Sequence, residues 1–324
     1  MFRTKLKISE RYNLITHQKP IFSIGSCFAE AMGSKLENCK FEVLYNPFGT
    51  IFSPLAIFKI FKLIFNQEKF WEEGFVENPD KIWFHYDFHS DVKNLGLEGL
   101  KKTIETRINT SQKLFNNAEV IIITLGTAWV YRHLASNQYV ANCHKVHQNQ
   151  FEKILLSVDE ICKDYSLIAP FLERKKIILT VSPVRHIKDT LPLNAVSKSV
   201  LRLACHYLQE KYKNIIYFPA YEIVNDDLRD YRFYAEDMLH VTPQAENYIW
   251  EKFMESFMND STLSVVSQWN NIQKKLNHKP YNPASSSHQK FLEQLLKDLE
   301  KMQGYIDLKN EIKLVKEQII EGVL

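Results

Sequence analysis

The sequence predicts an α/β fold, a three-layer α/β/α sandwich built on a mainly parallel sheet, with a helical extension at the C-terminus. Four short apolar runs alternate with longer segments of helical periodicity, the order expected of strands joined by crossover helices. The runs are apolar throughout rather than at every second position, as in strands that helices cover on both faces. With 324 residues, 45% of them hydrophobic, the chain can bury one large core.

The first predicted strand, 21–25, leads straight into Ser26 and Cys27. Apolar residues then recur every four positions from Phe28, a spacing that puts them on one face of a helix. This part of the chain is therefore predicted to be a strand, a sharp turn and a helix. The remaining strands are predicted at 120–125, 176–181 and 215–218, and the helices before them at 97–115, 151–172 and 194–212.

The C-terminal part is predicted to be separate from the main domain, 1–276. Residues 277–288 contain two prolines and a run of serines, which predicts a linker. From 289 to 324, apolar residues recur at steps of three or four with Glu and Lys between them, so an amphipathic helix is predicted. Such a helix either packs on its own domain or pairs with a second copy to form a homodimer.

Composition argues against several classes of function. The net charge of +3 is small and the lysines are spread along the chain, so no nucleic-acid partner is expected. No uncharged apolar run approaches the roughly 20 residues of a membrane span, and the N-terminus lacks the apolar core of a signal peptide. The five cysteines are odd in number and irregularly spaced, which argues against a disulfide framework. A cytoplasmic protein with no membrane partner is therefore expected.

Polar side chains that follow the predicted strands are the first candidates for a site, because open parallel sheets bind ligands at the carboxyl ends of their strands. Ser26 and Cys27 follow the first strand, Thr127 and Trp129 the second, and His186 the third. Cys27 would begin a helix, whose unpaired N–H groups and dipole favour an anion, so a lowered thiol pKa and an oxyanion site are expected. The alternative is that Cys27 is a small core residue and Ser26 an N-cap.

A second candidate lies late in the chain. Asp237 and His240 follow the last predicted strand and precede Thr242 and Pro243, a typical helix start. A histidine in such a loop can act as a general base, and the carboxylate can orient its ring. Alone, this spacing usually marks a solvated loop. Its position after the last strand is what favours a catalytic role.

The turn at 25–29 spells Gly-Ser-Cys-Phe-Ala, and on this motif the chain resembles the GSCFA-domain family, which belongs among the SGNH, or GDSL-type, hydrolases. The resemblance covers roughly residues 18–255. It implies that 1–276 is an SGNH-like catalytic domain with the flavodoxin-like sandwich of that superfamily. Further stretches that resemble the family are 46–50, 87–90, 125–129, 142–145, 181–184 and 237–240.

SGNH enzymes share four sequence blocks, and the resemblance implies a role for the residues that match them. Cys27 falls at the nucleophilic serine of the first block, and Ser26 at the residue before it. Gly49 falls at the oxyanion glycine of the second block. Asp237 and His240 match the last block, as the partner and the base of the nucleophile.

Two departures from the family pattern follow. A thiol replaces the serine hydroxyl at Cys27, which resembles some bacterial capsule-biosynthesis proteins of this fold. Gly126 falls at the third block, but Trp129 stands where that block has asparagine, so one oxyanion donor is missing. Gly126 and Gly49 remain the predicted oxyanion residues.

The resemblance implies an enzyme that hydrolyses acyl or acetyl esters of a glycan or a small molecule. Cys27 or Ser26 is the expected nucleophile, with His240 and Asp237 as the base and its partner. No cofactor is implied. Two alternatives stay open: an acyl-CoA-dependent O-acyltransferase of polysaccharide biosynthesis, and a catalytically degenerate domain that binds a glycan or an acyl group.

The predicted substrate pocket draws on the same stretches and on the strand ends. The candidate metal ligands, His85, His89, Cys143, His144 and His147, lack the spacing of a structural zinc site, so no metal is predicted. The residues predicted to line the pocket are Asn46, Asp87, His89, Thr127, Trp129, His144 and His186.

Overall fold

The computed structural model describes residues 3–8 and 12–320. The strands, in chain order, are β1 (Ile21–Gly25), β2 (Val43–Tyr45), β3 (Phe75–Glu77), β4 (Trp83–His85), β5 (Val120–Leu125), β6 (Trp129–His133), β7 (Gln138–Val140), β8 (Phe151–Leu155), β9 (Lys176–Val181) and β10 (Ile215–Phe218). The helices are α1 (Cys27–Asn38), α2 (Pro54–Ile64), α3 (Leu97–Asn117), α4 (Val158–Leu172), α5 (Leu191–Lys211), α6 (Ala220–Glu222), α7 (Pro243–Phe257), α8 (Asp260–Leu276), α9 (Ser286–Met302) and α10 (Lys309–Gln318).

A five-stranded sheet in the order β10-β9-β5-β1-β2 forms the centre of the fold, and every neighbouring pair in it is parallel. Two of its three interior strands, β5 and β1, are buried along their whole length, which explains why their sequences are apolar rather than alternating. The four predicted strands are all confirmed. The edge strand β2, only three residues long and partly exposed, was not predicted because it is too short to give a pattern.

Helices cover both faces of this sheet. Phe22 and Ile24 of β1 pack into the core beneath α2, α3, α4 and α5, whereas Ile21 packs into the core beneath α1 and α7. This alternation follows from the two-residue period of a strand, which sends successive side chains to opposite faces. The predicted three-layer α/β/α sandwich is therefore confirmed.

Two small antiparallel sheets, β3–β4 and β7–β6–β8, lie outside the main sheet. The helix predicted over 151–172 is wrong in its first part, because Phe151–Leu155 is strand β8 and pairs with β6. The helix begins only at Val158, where Ser157 and Glu160 cap each other's backbone N–H groups in a capping box. Pairing across strands thus overrides the apolar pattern that favoured a longer helix.

The C-terminal segment is two helices rather than the single helix predicted over 289–324. The chain turns between α9 and α10 near Gly304, and residues 321–324 lie outside the described part of the chain. The apolar stripe is buried within the chain, since residues of α9 and α10 form one cluster with Trp269 and Ile272 of α8. A homodimer through this stripe would have to open that cluster.

The helical extension is attached to the sandwich at the C-terminal end of α1. The indole of Trp269 donates to the carbonyl of Asn38 at 2.7 Å, and the ammonium of Lys40 pairs with Glu311 at 2.6 Å. The predicted linker is irregular from 278 to 285, and Ser285 then caps α9. Within the described residues, no helix is both long and apolar enough to cross a membrane.

Candidate active site

The carboxyl edge between β1 and β5 is the topological switch point of the sheet. From β1 the chain crosses through α1 to β2 on one side, and from β2 it returns to β5 on the other side. The pairing register sets Gly25 beside Thr124 and Thr124 beside Thr180, so β1, β5 and β9 end at almost the same level. Ligands of doubly wound sheets bind outside this point. The Ser26-Cys27 turn lies at this edge, as predicted.

Gly25 is required at this turn by both its conformation and its neighbours. Its φ is +150°, and an added Cβ would lie 2.2 Å from the carbonyl oxygen of Thr124. The side chain of Asn46 holds the turn from the other side. Its Oδ1 accepts the N–H of Gly25 at 2.9 Å, and its Nδ2 donates to the carbonyl of Ser26 at 3.4 Å. Asn46, predicted to line the pocket, is therefore a buried support of the turn.

Ser26 is the N-cap of α1. Its hydroxyl is fully buried and accepts the N–H of Phe28 at 3.3 Å. Ser26 thus has the capping role that was the alternative to a catalytic one, and Cys27, which is partly exposed, is the more accessible of the two side chains at the turn.

The pKa of the Cys27 thiol is raised, not lowered as predicted. Burial is the largest cause, and it outweighs the backbone N–H groups of Phe28 and of Cys27 itself, which lie beside the sulfur and lower the pKa. The charge of Lys198 also lowers it, whereas Glu30 raises it. The helix N-terminus acts in the expected direction, but desolvation is stronger. The resting form is therefore a thiol that needs a base.

Asp237 and His240 form the predicted pair. The carboxylate Oδ2 of Asp237 lies 2.6 Å from Nδ1 of the His240 ring, and its Oδ1 accepts the N–H groups of Leu239 and His240 at 2.9 and 3.0 Å. The bond to the ring is the main cause that lowers the pKa of Asp237 to about 2. Because the carboxylate holds Nδ1, the other ring nitrogen, Nε2, is the one left to exchange a proton.

The loop that carries this pair is fastened to the residues after β9. The N–H of Arg185 donates to the carbonyl of Leu239 at 3.3 Å, and its guanidinium lies 3.8 Å from the centre of the Tyr234 ring. Asp237 and His240 are both about half exposed, with side-chain exposures of 44% and 52%. Among the described residues, no hydrogen bond joins the His240 ring to the sulfur of Cys27.

Lys198 of α5 is the site residue that sequence reasoning missed. Its side chain is buried at the carboxyl edge of the sheet, where Nζ donates to the carbonyls of Gly126 and Ser182, both at 2.7 Å. Burial lowers the pKa of Lys198 to about 7, and the charge of Cys27 acts against this shift. A signal was present: Lys198 lies three and seven residues before Leu201 and Cys205, on the buried face of α5.

His186 completes this group of ionisable residues. Burial lowers the pKa of His186 to about 4. The positive charge of Lys198 lowers it further, and that of His240 does so to a smaller extent. Its Nε2 is buried without a hydrogen-bond partner, and its ring packs edge-on against Phe52 at 5.4 Å between centroids. The predicted pocket residue His186 thus lies within electrostatic range of both Lys198 and His240.

Comparison with known protein families gives two matches. The model of the GSCFA family matches residues 20–253, which run from the start of β1 into α7 and make up well over half of the chain. The chain belongs to the GSCFA family. A second model, the C-terminal domain of GSCFA domain proteins, matches residues 269–321 and so covers most of the helical extension. Comparison with curated proteins gives no match.

The GSCFA domain does not present the two predicted oxyanion glycines as free donors. The N–H of Gly49 donates to the carbonyl of Asn46 at 2.8 Å, and the N–H of Gly126 donates to that of Phe52 at 2.8 Å. Both amides are used to fold the loops that follow β2 and β5. At the start of α1 the N–H of Phe28 also has an acceptor, the Ser26 hydroxyl, which leaves the N–H of Cys27 as the candidate oxyanion donor at this turn.

Thr127 and Trp129, which also follow β5, shape this edge of the GSCFA domain. The Thr127 hydroxyl lies 3.0 Å from that of Ser197 and accepts the N–H of Trp129 at 3.1 Å. The ammonium of Lys153 lies 5.0 Å from the centre of the Trp129 ring. Trp129 therefore places an aromatic ring beside Lys153 at this edge.

Asp87 and His144 lie in a different environment. The Asp87 carboxylate is buried and pairs with the ammonium of Lys59 at 2.7 Å. The ring of His144 stacks on Phe84 with its Nε2 2.8 Å from the carbonyl of His85, and burial lowers its pKa to about 4. These contacts are structural and do not join either residue to Cys27.

His89, the remaining predicted pocket residue, is partly exposed and hydrogen-bonds Asp91 through Nδ1 at 3.0 Å. Its Cβ packs closely on Gly49, whose φ of +75° and lack of a side chain permit the contact. Within residues 3–8 and 12–320, no group of three or more His, Cys, Asp or Glu side chains is arranged to hold a metal ion.

Proposed function

We propose that the GSCFA domain is an SGNH-type hydrolase that cleaves esters through Cys27, His240 and Asp237. The observation that carries the proposal is the Asp237–His240 pair, held at 2.6 Å by a loop that is itself fastened beside the end of β9. A carboxylate that fixes one nitrogen of an imidazole at the carboxyl edge of a parallel sheet has the arrangement of a general base with its orienting partner.

In the proposed reaction, the Cys27 sulfur attacks the ester carbonyl and forms a C–S bond. His240 accepts the thiol proton and then gives it to the alcohol oxygen as the C–O bond breaks. The product is a thioester on Cys27 and a free alcohol. Water, deprotonated by His240, then attacks this thioester and releases the carboxylic acid and the thiol. The N–H of Cys27, at the start of α1, stabilises the negative oxygen in both steps.

The raised pKa of Cys27 fits this sequence of steps, because a thiol that is not ionised at rest depends on a base. The free enzyme makes no direct bond between His240 and Cys27. Catalytic hydrogen bonds of free enzymes are often formed only with substrate bound. A thiol nucleophile and five unpaired cysteines favour a reducing compartment, so a cytoplasmic location is part of the proposal.

The test is turnover of p-nitrophenyl acetate and of acetyl-CoA by the wild type, Cys27→Ala, Ser26→Ala and His240→Ala. We expect His240→Ala to lower kcat/KM by about 10²–10⁴-fold, the usual contribution of a general base, and Cys27→Ala to lower it by at least as much. Ser26→Ala should weaken folding more than catalysis, since its hydroxyl caps α1. Activity that survives in Cys27→Ala but is lost in folded Ser26→Ala would transfer the nucleophile to Ser26.

Two matched controls separate chemistry from general damage. His206 on α5 is as exposed as His240, with a side-chain exposure of 51%, and Cys162 on α4 is partly exposed like Cys27. His206→Ala and Cys162→Ala should keep wild-type turnover. If His240→Ala lost no more activity than His206→Ala, the proposed base would be wrong.

A domain that binds an acyl group or a glycan without turnover is the second candidate. It is favoured by the two oxyanion glycines whose amides are already bonded and by Trp129 in place of asparagine. An acyl-CoA-dependent O-acyltransferase uses the same thioester but passes the acyl group to a sugar hydroxyl. Added monosaccharides separate these outcomes, because only the transferase gives an acylated sugar, and the binding domain gives saturable binding without product.

A further inference from the structure

We propose that Lys198 is a positioning residue of this site, whose buried ammonium joins the loops after β5 and β9 and stabilises the thiolate form of Cys27. The role in catalysis rests on the function proposed above, but the effect on the thiol does not. Lys198 is 1% exposed and lies on the face of α5 that packs into the core. An apolar side chain there would avoid the cost of burying a charge. Residues that break the local packing rule in this way are typical of functional sites.

The position of the ammonium follows from its two acceptors. Gly126 comes directly after β5 and Ser182 directly after β9, and both carbonyls accept from Nζ at 2.7 Å. The ammonium is therefore held at the ends of two neighbouring strands. β1 is the next strand along, about 5 Å from β5, and its carboxyl end leads to Cys27. The sheet thus brings Lys198 to the turn from the opposite helical layer.

The charges around Cys27 make Lys198 the cation that acts on its sulfur. The groups that influence the thiol are the N–H groups of Cys27 and Phe28, the carboxylate of Glu30 on α1, and Lys198 from α5. An ammonium has three donors, and two carbonyls occupy two of them, so one N–H remains. Among the described residues, no hydrogen bond joins this group to the sulfur, so its effect acts through space.

The experiment measures alkylation of Cys27 by iodoacetamide between pH 6 and 9, with each cysteine resolved by peptide mass spectrometry. Loss of the Lys198 charge should raise the pKa of the Cys27 thiol, and each unit of increase lowers the thiolate fraction about tenfold. We therefore expect Lys198→Met to slow alkylation of Cys27 about tenfold at pH 6.5, whereas Lys198→Arg, which keeps the charge, should slow it less. Cys162 in the same molecule should react at an unchanged rate.

Lys175→Met is the matched control. Lys175 also donates to main-chain carbonyls, those of Phe115, Asn116 and Ala118, but it precedes β9 and so lies at the opposite edge of the sheet. Its substitution should leave alkylation of Cys27 as in the wild type. An unchanged Cys27 rate in folded Lys198→Met would overturn the proposal, even if the variant had a lower melting temperature.

Buried Cys205 reports whether each variant is folded, because it reacts only when α5 opens. If Lys198→Met unfolds, the wild type still gives a test with iodoacetate, the anionic reagent. The ratio of iodoacetate to iodoacetamide rates at Cys27 should be higher than at Cys162, and it should fall as the pH rises through about 7, where Lys198 loses its proton. The same fall should occur in His240→Ala, which removes the nearby imidazole. A ratio equal to that of Cys162 at every pH would overturn the proposal.

These rates do not depend on ester turnover. A chain in which Lys198 controls the Cys27 thiol but no ester is cleaved would retain this inference and refute the proposed function. The reverse result, turnover that depends on Cys27 while its alkylation is indifferent to Lys198, would refute the inference alone.

Discussion

Replacement of Asn46 by alanine should destabilise the protein through the turn that holds Cys27. Asn46 is buried, and its Oδ1 is the acceptor for the N–H of Gly25. Loss of that acceptor leaves a buried N–H without a partner, which costs about 1–3 kcal/mol. Asn46 also has a φ of +43°, in the left-handed region where alanine costs about 1–2 kcal/mol more. We expect Asn46→Ala to lower the free energy of unfolding by about 2–5 kcal/mol.

Asn137→Ala provides the control for the backbone contribution. Asn137 has a φ of +56° but is exposed, so its replacement should carry only the left-handed penalty of about 1–2 kcal/mol. Urea unfolding followed by tryptophan fluorescence and far-UV circular dichroism measures both variants, and agreement of the two probes checks that the transition is two-state. If Asn46→Ala and Asn137→Ala differed by less than about 0.5 kcal/mol, the side-chain bonds of Asn46 would not hold the turn.

Three further predictions concern other parts of the chain. Lys59→Met should destabilise the protein by about 3–5 kcal/mol in urea, because it leaves the buried Asp87 carboxylate unpaired; a change below 1 kcal/mol would contradict this. Folding lowers the pKa of Asp237 to about 2, from about 4 in the unfolded chain. The stability that its hydrogen bonds provide is therefore complete above about pH 4 and is lost as the pH falls through about 2. The ¹³C shift of its carboxyl should therefore stay constant from pH 7 to 4 and should titrate at higher pH in His240→Ala. Truncation after Ser285 should expose Trp269 and lower the melting temperature, and a chain of unchanged stability that only changes its oligomeric state would refute this.

Four of the five strands of the main sheet were predictable because each is an apolar run of four to six residues, as is typical of strands covered by helices on both faces. Strand β8 could not be predicted, because the residues of 151–155 suit a helix as well as a strand. Only the pairing with β6 decides between the two. The break between α9 and α10 was missed for a similar reason. The apolar period continues through Gly304, and the turn depends on packing against α8.

The Asp237–His240 pair was predictable because its two members are three residues apart, so local structure sets their distance. The hydrogen bonds of the Gly49 and Gly126 N–H groups could not be predicted, since the acceptor of a backbone N–H depends on how the loops fold. The family resemblance indicated that Asp87 and His144 belong to the pocket, but it could not show that their contacts lie away from Cys27. Lys198 was missed because a single lysine in a helix is ordinarily assigned to the solvent side, although its spacing from Leu201 and Cys205 places it on the buried face of α5.

The five residues of the motif that gives the family its name, 25–29, have different roles in the structure. Gly25 permits the close passage of β5, Ser26 caps α1, and Phe28 and Ala29 are almost wholly inside the core. Four of the five residues therefore have a role in the fold. The third, Cys27, is the one that is partly exposed and so accessible to a reagent. A relative that keeps the other four but has serine or alanine at this position should still fold. The residue at position 27 is therefore the one by which homologues should be chosen for assays of activity.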